Sequence, residues 1–340
     1  MTVPTLHDVY DARTRVYRTL RPTPLLRHPL LAGEIGADVI VKHENHNPTG
    51  AFKIRGGLNL VSSLGADDRA RGIVTASTGN HGQSLAMACE LEQVPCTIYV
   101  PVGNNPEKNA AMRGFGATVV EIGRDFDEAR ERCEREAQAR GYRYVHPANE
   151  PLLLAGVATY ALEIFEAAPR ADVVFVPVGG GSGAFGLVTV RSALGAPARI
   201  VGVQAERADT FARAWRTGDR TPGAQADTFA EGLATRVTFD MTFAALTREL
   251  DDVVTLTERE LEAGIRMALR TTHNLAEGAG AAALAAAFKM RQELDGKCVV
   301  CVMSGGNLDS RTLARILGGR SPGPSGPGLC TASPQPPATP

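Results

Sequence analysis

Short apolar runs alternate with amphipathic stretches along most of this chain. Val39-Ile40-Val41, within 38–43, reads as a buried strand. From Gly72 the alternation is regular. It predicts strand 72–76, helix 80–91, strand 96–100, helix 106–115, strand 117–122, a charged helix over 125–140 and a short strand at 142–145. A second set follows a helix at 150–166, with strands at 172–178, 199–204, 253–256 and 298–303 and helices between them. Strands of about five residues between helices of about twelve predict an α/β fold with parallel, doubly wound sheets. Further helices are predicted at 7–19, ended by Arg21-Pro22-Thr23-Pro24, at 258–271, opened by the capping box Thr257-Glu-Arg-Glu260, and at 277–292. The segment 321–340 is rich in Pro and Gly and has no apolar period, which predicts a disordered tail.

At 340 residues the chain can form two domains or one large one, and its formal net charge of −1 changes what it can bind. Without long blocks of like charge, neither nucleic acid nor an anionic membrane is expected as a partner. No apolar run approaches the roughly 18–20 residues of a membrane span. The opening residues, with His7, Asp8 and Asp11, lack the plan of a signal peptide, so a cytoplasmic protein is expected. The six cysteines do not form a disulfide framework. Cys298 and Cys301 lie three apart on a predicted strand and so face opposite sides, which excludes a shared ion. The seven histidines, His43 and His46 included, show no ligand spacing, and no metal is expected.

Four stretches carry chemistry. In Asn47-Pro-Thr-Gly-Ala-Phe-Lys-Ile-Arg-Gly-Gly57, turn residues lead into a helix start and place Lys53 in its first turn. Alone, Lys53 reads as an ordinary surface lysine. Shielded from water it would lose part of its ammonium stabilisation and offer a neutral amine for a Schiff base. Gly179-Gly180-Gly181-Ser182-Gly183 follows a predicted strand and opens a helix, so its amides and the helix dipole suit an anion such as a phosphate. The same loop satisfies a dinucleotide fingerprint, Gly181-x-Gly183-x-x-Gly186 with Glu206 beyond the next strand. On this stretch alone an NAD-dependent oxidoreductase is a valid reading, but it leaves the other stretches unexplained. Ser77-Thr78-Gly79-Asn80-His81-Gly82-Gln83 also joins a strand to a helix, as a second anion site or a plain N-cap. Ser304-Gly305-Gly306-Asn307 closes strand 298–303 at its carboxyl edge, where doubly wound sheets bind ligands.

Together, and in this order, the four stretches resemble the serine/threonine dehydratase group of pyridoxal-phosphate (PLP) enzymes, fold type II, from about Thr23 to about Leu317. The resemblance implies two open-sheet lobes of the tryptophan-synthase-β kind, a small one at 64–147 and a large one combining 1–63 with 148–320. It also implies a homodimer. PLP would be held by Lys53, with Phe52 on its ring, Gly179, Gly180, Gly181, Ser182 and Gly183 on its phosphate, Asn80 on its 3-oxygen and Ser304 at its ring nitrogen. Ser77, Thr78, Gly79, Asn80 and His81 would hold the substrate carboxylate. The freed Lys53 amine would take the Cα proton, the β-hydroxyl would leave, and a small L-β-hydroxy amino acid such as L-threonine or L-serine would give a 2-oxo acid and ammonia. A neutral hydroxyl such as that of Ser304 cannot keep the ring nitrogen protonated, which favours prompt elimination over a long-lived carbanion.

Threonine synthase and cysteine synthase share that fold, but His81 and Gln83 match the dehydratase form of the loop. Within the group a racemase stays open, because racemases carry a serine acid/base where this chain has Thr78. Their divalent-cation site has carboxylates where this chain has Gln204 and Thr210, so that metal is not expected. Glu277 and Asn149 are lesser candidates, one near the ring and one near the lobe junction. Which β-hydroxy amino acid is preferred is not legible in these motifs.

Overall fold

The structure is a computed structural model and describes residues 3–319. The expected disorder of 321–340 lies outside the described residues. Among the described residues, ten strands form two sheets: β1 (Leu25–Arg27), β2 (Asp38–His43), β3 (Ile73–Ala76), β4 (Cys96–Val100), β5 (Thr118–Glu121), β6 (Arg143–Tyr144), β7 (Val173–Pro177), β8 (Arg199–Ala205), β9 (Asp252–Leu256) and β10 (Cys298–Met303). The larger sheet runs β1-β2-β10-β7-β8-β9 and the smaller β5-β4-β3-β6. All pairings are parallel except β1 with β2.

The alternation of side chains along a strand explains why the larger sheet is covered on both faces. On β10, Val299, Cys301 and Met303 enter one core with the alanine-rich helix Gly278–Lys289. Val300 and Val302 enter the opposite core with helices Pro151–Ala167 and Ser182–Leu194. Cys298 packs against that second core, so the two thiols do lie on opposite faces. The smaller sheet has its own two cores, and helix Ile54–Ser62 contributes Ile54, Leu58, Leu60 and Val61 to one of them.

The predicted elements from 38 onward are present within a few residues of their expected limits. Helix 7–19 is shorter, Leu6–Val16, and its Thr5 capping box fixes the start. Four elements escaped the pattern: β1, three mostly exposed residues; helix Pro29–Ile35, which a proline opens and left-handed Gly36 closes; and helices Ala66–Arg71 and Ser310–Leu317. All are short, at eight residues or fewer, and display little period. The capping box at Thr257 and Glu260 forms as predicted.

Candidate active site

The parallel sheets bring the carboxyl ends of β2, β3, β7 and β10 toward one centre, and the four stretches lie there. Lys53 has helical dihedrals but stands just before helix Ile54–Ser62 rather than within its first turn. Its Nζ donates to Ser182 Oγ at 2.8 Å and lies 5.2 Å from the centroid of the Phe52 ring. Burial lowers its pKa from 10.5 to about 8, because the ammonium form loses water and gains no carboxylate. The amine is thus available at mildly alkaline pH.

The glycine-rich loop needs its glycines. A Cβ on Gly179 would lie 2.0 Å from the Gly232 carbonyl oxygen, so no larger residue fits. Gly181 is left-handed at φ 83° and directly precedes the helix Ser182–Leu194. Thr242 Oγ1 donates to the Gly180 carbonyl at 2.9 Å, and Tyr160 donates its hydroxyl to the Gly183 carbonyl at 2.8 Å. Tyr160 also meets Phe52 edge to face at 6.2 Å. These contacts fix the loop from behind, leaving the start of the helix directed at Lys53.

Ser304 is buried, and its carbonyl accepts the Phe52 N–H at 3.0 Å. Gly306 N donates to Gly50 O at 2.8 Å, and Ala51 bridges Gly305. The loop after β10 is therefore stitched by backbone to the lysine segment. Asn307 Nδ2 donates to Thr49 O at 2.8 Å and to Asn80 Oδ1 at 2.7 Å. Asn80 in turn donates to Glu277 Oε1 at 2.6 Å. Burial raises the Glu277 pKa, against the lowering by Lys108 and by the Asn80 hydrogen bond.

The Ser77–His81 stretch is less uniform than expected. Ser77 Oγ accepts N–H groups of Gly79 (3.3 Å) and Gly82 (2.9 Å), so its hydroxyl shapes the loop from inside. His81 is buried, with Nε2 3.1 Å from Thr75 Oγ1, and burial next to Lys53 and His146 lowers its pKa to about 3. Its neutral ring belongs to the core of the smaller sheet. Thr78 is half-buried, and its carbonyl accepts from Asn104 Nδ2 at 3.3 Å. Beside Gly79 lies an ion pair that the sequence did not signal: Lys108 Nζ to Glu231 Oε2 at 2.6 Å. A small cavity is lined there by Lys108, Phe229, Glu231, Glu277, Asn307 and Asp309. Asn149 Oδ1 accepts the Met241 N–H at 3.3 Å, next to the Thr242 that donates to Gly180. Among the described residues, no group of three or more His, Cys, Asp or Glu side chains is placed to hold a metal ion, and no helix is long and apolar enough to cross a membrane.

A buried lysine amine lies against the first residue of a helix that a glycine-rich turn precedes, and a buried serine is bonded to the lysine's neighbour Phe52, an arrangement suited to an anionic, carbonyl-bearing cofactor. Residues 16–305 match the family model described as pyridoxal-phosphate dependent enzyme. The chain belongs to this family, and its cofactor is pyridoxal 5'-phosphate. It is 35% identical to an L-threonine ammonia-lyase of Thermotoga maritima over 92% of this chain and 78% of that protein. It is 33% identical to an L-threo-3-hydroxyaspartate ammonia-lyase of Saccharomyces cerevisiae over 96% of this chain and all of that protein. Its fold superposes on maize serine racemase with a TM-score of 0.88 and 25% identity, covering 93% and 97% of the two chains. The dinucleotide reading falls here. Gly186 is instead a close-packing position, where a Cβ would meet the Ala158 Cα at 2.7 Å.

Proposed function

We propose that the chain is a PLP-dependent ammonia-lyase that converts a small L-β-hydroxy amino acid, L-threonine or L-serine, to a 2-oxo acid and ammonia. The observation that carries this reading is the buried Lys53 amine 2.8 Å from the first residue of the cradle helix. Bound there, pyridoxal phosphate supplies an electron sink conjugated to the substrate's Cα. Lys53 would hold the cofactor through its side-chain amine and, once free, would accept the proton from the substrate's Cα. Gly179, Gly180, Gly181, Ser182 and Gly183 would hold the phosphate with backbone N–H groups and the Ser182 hydroxyl. Phe52 would pack on the ring, Ser304 would offer its nitrogen a neutral hydroxyl, and Asn80, oriented by Asn307 and Glu277, would hydrogen-bond the 3-oxygen.

The substrate carboxylate is assigned to the loop of Ser77, Thr78, Gly79, Asn80 and His81. Ser77 acts there as the loop's internal cap, and His81 acts through its backbone. We further assign 64–147 to a small lobe, 1–63 with 148–320 to a large one, and the whole to a cytoplasmic homodimer.

A panel of L-threonine, L-serine and L-threo-3-hydroxyaspartate, scored for ammonia and oxo acid, tests the activity. Release from L-threonine or L-serine is expected, and no ammonia from any member would overturn it. A racemase is the second reading, because Thr78 retains a hydroxyl in the substrate loop. D-amino acid forming faster than oxo acid would install it.

A further inference from the structure

Two residues beyond Lys53 lies Arg55, fully buried, and around it Lys42, Glu44 and Glu163 are buried as well. Two cations face two carboxylates, so the cluster is neutral. We propose that Glu44 is a positioning residue for Lys53, one carboxylate gripping both ends of the segment that carries the lysine. The proposal rests on Lys53 being the cofactor's lysine. At the first end, Asn47 Nδ2 donates to Glu44 Oε2 at 2.9 Å and to the Glu44 carbonyl at 2.9 Å. At the second, Arg55 Nε donates to Oε2 at 2.7 Å and Nη2 to Oε1 at 2.8 Å. Thr23 Oγ1 completes Oε1 at 2.5 Å. On the far side Glu163 takes Arg55 Nη1 at 2.6 Å and Nη2 at 2.9 Å, and pairs with Lys42.

Stability alone is a poor reason for such a cluster, since apolar side chains of equal volume stabilise a core as well or better. Direction is what apolar side chains lack. A guanidinium clasped by two carboxylates has one orientation, and Arg55 lies in the first turn of the helix that Lys53 precedes. The charges cancel, so the cluster adds little field at Lys53, whose amine responds to burial alone. The cluster therefore fixes where the amine is, while burial fixes when it is neutral.

Glu44→Gln would strand a buried charge and endanger the fold, so the test severs each end separately. Asn47→Ala and Arg55→Lys both leave the cluster neutral. Apoprotein of each variant is mixed with pyridoxal phosphate, quenched with borohydride at intervals and peptide-mapped, beside thermal melts and kcat and KM for L-threonine. We expect cooperative melts and covalent capture at Lys53 slowed about tenfold or more. kcat should fall by a similar factor with KM within about threefold, the pattern of a displaced reacting group. Capture within about twofold of the unmodified protein in folded variants, or slowing no greater than the unfolded fraction, would overturn the proposal. Arg55→Lys is the sharper of the two because charge is retained and only the fork is lost. Capture needs no substrate, so a protein that captures at Lys53 yet releases no ammonia from L-threonine, L-serine or L-threo-3-hydroxyaspartate sinks the lyase reading alone. Capture at another lysine in the unmodified protein sinks this proposal too.

Discussion

The two sides of the cleft are built differently. Toward the larger sheet, the lysine segment and the loop after β10 are joined main chain to main chain, through Phe52 to Ser304, Gly306 to Gly50 and the Ala51–Gly305 bridge. Toward the smaller sheet, the loop at 77–81 and its helix reach that centre through side chains: Asn80 to Glu277 and Asn307, Ser84 Oγ to the Lys53 carbonyl at 2.6 Å, and Lys108 to Glu231. Backbone links resist displacement because they are continuous with the sheets, whereas a side-chain link can lengthen or exchange for water. Most residues assigned to the cofactor thus lie on the fixed side, and the loop assigned to the substrate, Asn80 included, can adjust to it.

Substitutions should sort accordingly. Lys53→Ala strikes the fixed side's reacting group and should abolish covalent colour and cut turnover by about 10²–10⁴-fold, the usual contribution of a proton-transfer group. A folded Lys53→Ala protein with near-normal turnover would end the assignment. In the unmodified apoprotein, neutral amine is the reacting form and its pKa is lowered to about 8. Capture of pyridoxal phosphate should therefore rise about tenfold per pH unit below that value and level off above it, where a solvated lysine would level off only near 10.4. Stopped-flow absorbance across that range reads the difference.

Ser304→Asp, still on the fixed side, should protonate the ring nitrogen and slow elimination, by about tenfold if it weakens one positioned interaction of ~1.4 kcal/mol. Unchanged kinetics in a folded variant would place Ser304 elsewhere. Lys108→Gln breaks the adjustable side's partly exposed ion pair, worth about 1 kcal/mol or less. KM should rise about threefold to fivefold with kcat nearly unchanged, and a collapse of kcat would make Lys108 part of the chemistry. Thr78→Ala should do least, keeping lyase activity within about twofold while removing any D-amino acid formed. A racemase would instead lose the 10²–10⁴-fold of a missing acid/base group. Chiral chromatography beside an oxo-acid assay separates the two.

The sequence made the sheet-forming runs legible because their apolar residues have nowhere else to go. It missed β1, which owes its pairing to β2 rather than to its own composition. The glycine cradle and the lysine segment were legible for a related reason. Gly181 is set by its left-handed backbone and Gly179 by the close approach of the Gly232 carbonyl, and both demands leave glycine in the sequence. Ion pairs leave no such mark. Lys108 and Glu231 are 123 residues apart, and each looks locally like a solvated charge. Glu44, between His43 and His46, finds its partners at Thr23 and Arg55, which nothing in its immediate neighbours signals. Which side chains of 77–81 turn inward is set by burial, which the string itself does not display: the ring of His81 lies against Thr75.

Strand β10 lies between β2 and β7, so the middle of the larger sheet is filled by the strand nearest the C-terminus among those described. A ribosome delivers Lys53 and the glycine cradle long before Val299 and Val300 can pair with β2 and β7, and before Ser304 can meet Phe52. At 5–20 residues per second, the lysine spends on the order of ten to fifty seconds in an incomplete nascent chain. Through that interval the segment carrying it lacks its main-chain partners at Ser304, Gly305 and Gly306, so the lysine's final surroundings are completed only after the central strand is made.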